Sequence, residues 1–170
     1  MREALAREPA LAGRLIEPEA PPLLAPLVSP PLEPGQAAGL DLILEGFLLH
    51  HGAARHLAPD EPGEVLAGDY CYAHGLVRIA DSGDLFVIEA LADLIALGAG
   101  LVAGGDRAAL SPLWRATTVA IASRRGDDAG DVAARYLAAR HVLQSEGDHG
   151  PLEALAAGLP PIPELDEALR

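Results

Sequence analysis

The chain contains no lysine, so its 12 basic residues are all arginine, and they are set against 25 acidic residues for a formal net charge of -13. An acidic surface of that kind repels phosphate backbones, which argues against nucleic acid as a partner. Cysteine occurs once, at Cys71. That excludes an internal disulfide and a CxxC metal site and fits a reducing cytoplasm. Aromatic residues make up only 4% of a chain that is 50% hydrophobic, so Ala, Leu, Val and Ile must fill the core, a composition that favours helices. The first residues, "MREALAREPA", carry charges where a secretory signal needs an apolar run. The longest uncharged apolar run, Leu94 to Gly105, is too short for a bilayer, so no transmembrane segment is expected. The expectation is a soluble, cytoplasmic domain of 170 residues.

What is present is helical periodicity with proline punctuation. Residues 2–17 predict a short helix interrupted near Pro9, followed by "EPEAPPLLAPLVSPPLEPG", whose seven prolines forbid a long helix or central strand. This arm carries Leu23, Leu24, Leu27 and Val28, which can lie on its own domain or on a partner. From Gln36 to Leu57 apolar residues recur at steps of three and four, which predicts a helix. Further helices are predicted over Glu64–Ala80, over Leu85–Ala103 with Asp84 as N-cap, from an N-cap at Ser111 with Pro112 first in the helix, and from "GDDAGD" to about Gln144. The predicted class is all-α, an antiparallel helical bundle (36–145) preceded by the arm (1–35) and followed by a tail of at most two short helices (146–170).

"GLDLILEGFLLHHGAARHL", "VLAGDYCYAHGLVRIADSGD" and "IEALADLIALGAGLVAGGD" resemble three successive landmarks of the polyprenyl diphosphate synthases, trans-prenyltransferases of the isoprenoid synthase fold. Gly68, Asp69, Tyr70, Tyr72 and Ala73 match the family's Gly-Asp helix, and "RGDDAGDVAARYLAARHVLQ" resembles the helix ahead of its second aspartate-rich motif. The resemblance spans about residues 36–149. It implies an isoprenoid-synthase-like bundle that dimerises through the helices after the first aspartate-rich motif.

The departures from the family pattern concern its chemistry. Aligning Leu48, Leu49 and His50 with the family's Leu-Ile-His puts His51, Gly52 and Arg55 where three magnesium-binding aspartates belong. Imidazole, glycine and guanidinium cannot rebuild a site for a hard cation. The Arg-Arg-Gly segment after that motif, the upstream Gly-Lys-Arg stretch and the second aspartate-rich motif are missing as well. Asp127, Asp128 and Asp131 do spell Asp-Asp-x-x-Asp, but they open a helix, where carboxylates cap free amides and meet the dipole without a metal.

The histidines raise a second possibility, a zinc-type site. His51 follows Phe47 by four residues and falls near the buried face, whereas His50 and His56 project elsewhere on one predicted helix. A site built from His50, His51 and His56 needs a carboxylate from Asp60, Glu61 or Glu64. Solvated or hydrogen-bonded histidines are the simpler expectation. Asp69 and Asp93 are expected to pair with Arg78, Arg115 or Arg135, and Tyr70, Tyr72, Trp114 and Tyr136 to serve as core or interface aromatics. Cys71 has one local candidate base, His74.

Three functions follow as expectations. The first is a non-catalytic, polyprenyl-synthase-like subunit with no cofactor, forming a homodimer or a heterodimer with a catalytic synthase subunit, with a prenyl lipid as ligand. The helix carrying Ile88 and Ile95, apolar over much of its circumference, would be its interface. The second is a metal-dependent hydrolase with a His/carboxylate site. The third is a structural helical interaction module.

Overall fold

The computed structural model describes residues 1–58 and 60–170, and the side chains of Ala4, Glu61 and Pro62 are not described. The protein is all-α. Its helices are α1 (Arg2–Arg7), α2 (Pro9–Ala12), α3 (Pro34–His51), α4 (Glu61–Ala80), α5 (Leu85–Gly104), α6 (Leu110–Ala122), α7 (Ala129–Glu146), α8 (Gly150–Ala156) and α9 (Pro163–Ala168). Among the described residues no strand forms, and one isolated bridge joins Leu15 to Leu57.

Proline at its first position starts α3, while the Gln36 side chain accepts from the Glu33 N–H at 3.1 Å. The helix ends at His51, six residues before the predicted Leu57, because the chain beyond Gly52 finds another acceptor. The Glu45 carboxylate takes the N–H groups of Arg55, His56 and Leu57 at 3.0, 2.8 and 2.9 Å, so those amides never join the helical ladder. One turn earlier, Asp41 does the same for the proline arm, accepting from Leu23, Leu24 and Ala25 at 2.9, 3.1 and 2.8 Å. Both carboxylates are buried, and together they anchor two irregular segments to one helix.

Glycines set the seam between α3 and α4. A Cβ on Gly39 would lie 2.7 Å from the Gly75 carbonyl oxygen, and one on Gly46 would lie 2.9 Å from that of Gly68. Gly39 therefore faces Gly75 and Gly46 faces Gly68, so the two helices run antiparallel with their backbones nearly touching. The spacing is seven residues, two helical turns, on both helices.

Asp84 caps α5 as predicted, accepting from Phe86 and Val87, and it also pairs with Arg124 at 2.8 Å. Gly105, at φ 78°, closes that helix in the left-handed region. The start of α6 differs from expectation. A 3-10 turn at Arg107–Ala109 runs directly into Leu110, which places Ser111 inside the helix, where its hydroxyl donates to Asp166 of α9.

One apolar core joins the arm (Leu24, Val28, Leu32) to Phe47, Leu91, Leu94, Trp114, Tyr136 and the tail residues Leu152, Leu165 and Leu169. The arm packs on its own domain. A second cluster gathers Leu5 and Leu11 against Leu42, Leu49, Leu57, Ala67 and Cys71. Helix α5 is long and apolar enough to cross a membrane by length and composition, and 28% of its most apolar window is buried.

Candidate functional site

The positions singled out by the family resemblance converge where α3 ends beside the first half of α4. His50 Nε2 lies 3.2 Å from Asp69 Oδ1, and its ring stacks on Tyr72 with centroids 5.3 Å apart. Glycine makes room for this arrangement: a Cβ on Gly68 would fall 2.5 Å from His50 Nε2, and one on Gly46 would meet the Tyr72 ring at 2.9 Å. The Tyr72 hydroxyl is buried without a hydrogen-bond partner, and burial, with Asp69 nearby, pushes its pKa well up. Beside this pair, His51 sits 4.8 Å from the Phe47 ring, and Phe47 meets Trp114 edge to face at 5.5 Å. Burial, then the neighbouring His50 and Arg107, lowers the pKa of His51.

The remaining predicted positions separate. Arg55 and His56 lie on the returning loop, outside the helix. The Arg55 guanidinium donates to the Pro21 carbonyl at 3.0 Å. His56 is buried at 2% exposure, with neither ring nitrogen hydrogen-bonded. Burial, followed by the charges of Arg55, the N-terminus and Arg2, lowers its pKa to about 4. Asp60 pairs with Arg14 at 2.9 Å, and the Glu61 side chain lies outside the described residues. Among the described residues no group of three or more His, Cys, Asp or Glu side chains is placed to hold a metal ion. The set His50, His51, His56 and Asp60 is not assembled, because α3 stops before His56 and Glu45 turns the loop inward.

Asp127, Asp128 and Asp131 are exposed at the start of α7. Asp128 occupies the N-cap position but makes no side-chain cap bond, and Asp131 approaches Arg135 at 3.9 Å. The expected capping bond is thus not formed, and only proximity to the helix dipole remains. Asp69 and Asp93 both have partners, though not those anticipated: His50 for the first and Arg140 for the second. Of the anticipated arginines, Arg115 instead donates to the carbonyls of Ala156, Leu159 and Pro160, and Arg78 reaches that of Gly35. Cys71 is fully buried, and burial, with Glu45 nearby, pushes its thiol up to about 12. His74 stacks on Tyr70 at 4.0 Å. A thiolate nucleophile has no support in this geometry.

Asp41 and Glu45 were not identified from the sequence. Their signal was available: two carboxylates four residues apart inside an otherwise apolar stretch require partners. Chemically, His50 and Asp69 form a histidine–carboxylate contact beside the buried Tyr72 hydroxyl. Comparison with protein families, curated proteins and solved structures finds no match.

Proposed function

We propose that this chain is a non-catalytic, polyprenyl-synthase-like protein, a regulatory or structural subunit of isoprenoid diphosphate synthesis in the cytoplasm. In this reading its helices form an antiparallel, isoprenoid-synthase-like bundle. It pairs with itself or with a catalytic synthase subunit, and it takes a prenyl lipid as ligand.

The observation that carries the reading is the loop after α3. His51, Gly52 and Arg55 stand where the resembled family places metal-binding aspartates, and Arg55 is tied to the Pro21 carbonyl. Glu45, the nearest carboxylate along α3, is committed to three backbone amides. A magnesium-held diphosphate finds no free carboxylate among these residues, and that ion takes hard oxygen ligands in octahedral geometry, commonly one or two carboxylates with water and phosphate oxygens. Support for pairing comes from α5, which keeps Leu85 78% exposed and presents Ala92, Ala96, Gly100 and Ala103 to solvent. Ile88 and Ile95 are half-buried against the main core, so the small residues form the outer face.

The test has two arms. The purified protein, given allylic and isopentenyl diphosphates with magnesium, is expected to form no prenyl product. Mixed with a polyprenyl synthase from its own host, it is expected to form a complex with altered chain length. Robust elongation by the protein alone, abolished by Asp127→Asn with Asp128→Asn, would overturn the reading.

A further inference from the structure

Residues 1–17 contribute to the smaller apolar cluster and to none of the larger one. Leu5 and Leu11, with Met1 and Leu15 beside them, supply one side of it, and Leu42, Leu49, Leu57, Ala67 and Cys71 supply the other. Both strap leucines are buried, so the segment closes over α3, α4 and the loop between them. Its polar ties to that loop lie at one end. The Ile16 N–H donates to the His56 carbonyl at 2.9 Å, the Ala58 N–H donates to the Arg14 carbonyl at 2.8 Å, and Arg14 pairs with Asp60 at 2.9 Å. Farther along the chain, Asp41 holds Leu23, Leu24 and Ala25, so the strap can lift without pulling the proline arm from its place.

His56 stands at this junction, 2% exposed and with neither ring nitrogen hydrogen-bonded. The charges that bear on its ring are cationic: Arg55 from its own loop, then the N-terminal amine and Arg2 from the strap. Arg2 is itself paired with Glu17. On the α3 side, Glu45 is committed to the amides of Arg55, His56 and Leu57, and on the α4 side burial keeps the Cys71 thiol neutral. A proton on His56 in the closed state therefore gains no hydrogen bond, loses its water and meets three cations. With the strap lifted, the ring is hydrated and two of those cations leave with the segment.

We propose that residues 1–17 form an acid-released strap, in which protonation of His56 lifts the segment from α3 and α4 and uncovers the apolar surface of Leu42, Leu49, Ala67 and Cys71 while the main core stays folded. Closure is complete above the ordinary histidine value of 6.5 and weakens as pH falls toward about 4, the value His56 has when buried. Between pH 7 and pH 5 that difference raises the open fraction about twentyfold. Glu45, whose carboxyl burial raises, acts in the opposite sense, and a His56 variant separates the two. The strap is independent of the prenyl-synthase reading.

The chain carries one cysteine and one tryptophan, and they report on the two clusters separately: Cys71 on the smaller, Trp114 on the larger. Labelling of Cys71 by 4,4′-dithiodipyridine at low reagent concentration, referenced to the urea-unfolded chain at the same pH, reads the open fraction. Protection of Cys71 is expected to fall about twentyfold from pH 7 to pH 5 while Trp114 fluorescence stays native. His56→Leu should remove that fall. Leu5→Ala, which loosens the strap without touching the histidine, should lower Cys71 protection at least about tenfold at pH 7, again with native Trp114 fluorescence. Protection that is flat with pH in the wild type, an unchanged fall in His56→Leu, or Cys71 and Trp114 changing together would overturn the proposal.

Discussion

Helices α3 and α5 are close in length, yet their polarity and burial run in opposite directions. Helix α3 carries Asp41 and Glu45, but every residue from Leu40 to Leu49 is buried. Helix α5 has only Glu89 and Asp93 as interior charges, yet among its residues only Val87, Ala90, Leu91, Leu94 and Gly98 are buried. Apolarity alone therefore does not decide which helix goes inside. Helix α3 qualifies because its charges accept six backbone N–H groups and its glycines let α4 approach closely. Helix α5 has no buried carboxylate of that kind and a single close-approach glycine, Gly98, where a Cβ would meet the Phe47 ring at 2.7 Å, and the outer half of its circumference is left without a covering element.

The largest effect that can break this contrast is expected at Glu45. Glu45→Ala leaves the buried amides of His56 and Leu57 and the part-buried amide of Arg55 without their acceptor and should cost about 3 kcal/mol in urea unfolding. Glu89→Ala, on the exposed side of α5, should change stability by less than about 0.5 kcal/mol. Equal small effects would show that the buried carboxylate of α3 is not structural.

The next effect is pH dependence. His56 is neutral when folded, with its pKa lowered to about 4 from an ordinary 6.5, so the stability it contributes is complete above 6.5 and is lost as pH falls toward 4. Between pH 8 and pH 5 the loss should be about 2 kcal/mol, or roughly 5 °C in melting temperature for a chain of this size. His51, lowered by burial, has the same sign. Glu45 has the opposite sign: burial raises its carboxyl, against the three amides and Arg55 that lower it, so its contribution grows as pH falls through its folded value. The variant His56→Leu should flatten the melting temperature over pH 8 to 5, and an unchanged slope would remove the histidine as its cause.

A smaller effect on stability, with a clear change in association, is expected on α5. Ala96→Arg points into solvent and should leave the monomer's melting temperature within about 2 °C while dissociating any complex seen by light scattering. Ile95→Arg, which enters the core margin, should lower both. A compact wild-type monomer at every concentration, with no complex formed with a host synthase, would remove the pairing surface.

The smallest effect belongs to the aspartates of α7. Asp127→Asn with Asp128→Asn should shift stability by less than about 0.5 kcal/mol, because both are exposed and neither makes a cap bond. Magnesium should not raise the melting temperature of the wild type, and a rise abolished by the double variant would restore a metal role for the motif.

By itself the sequence determined the all-α class, the Asp84 cap, the extent of α5 and the break at Gly105, because each follows from local periodicity or from a cap that needs only its immediate neighbours. Only the tertiary structure decided where α3 ends, since helical periodicity runs on to Leu57 while a carboxylate ten to twelve residues away in the chain takes the amides of Arg55, His56 and Leu57. The same holds for the partners of Asp69 and Asp93 and for the burial of His56. Propensity acts over one or two turns, whereas these outcomes depend on which distant backbone groups need an acceptor once the core has closed.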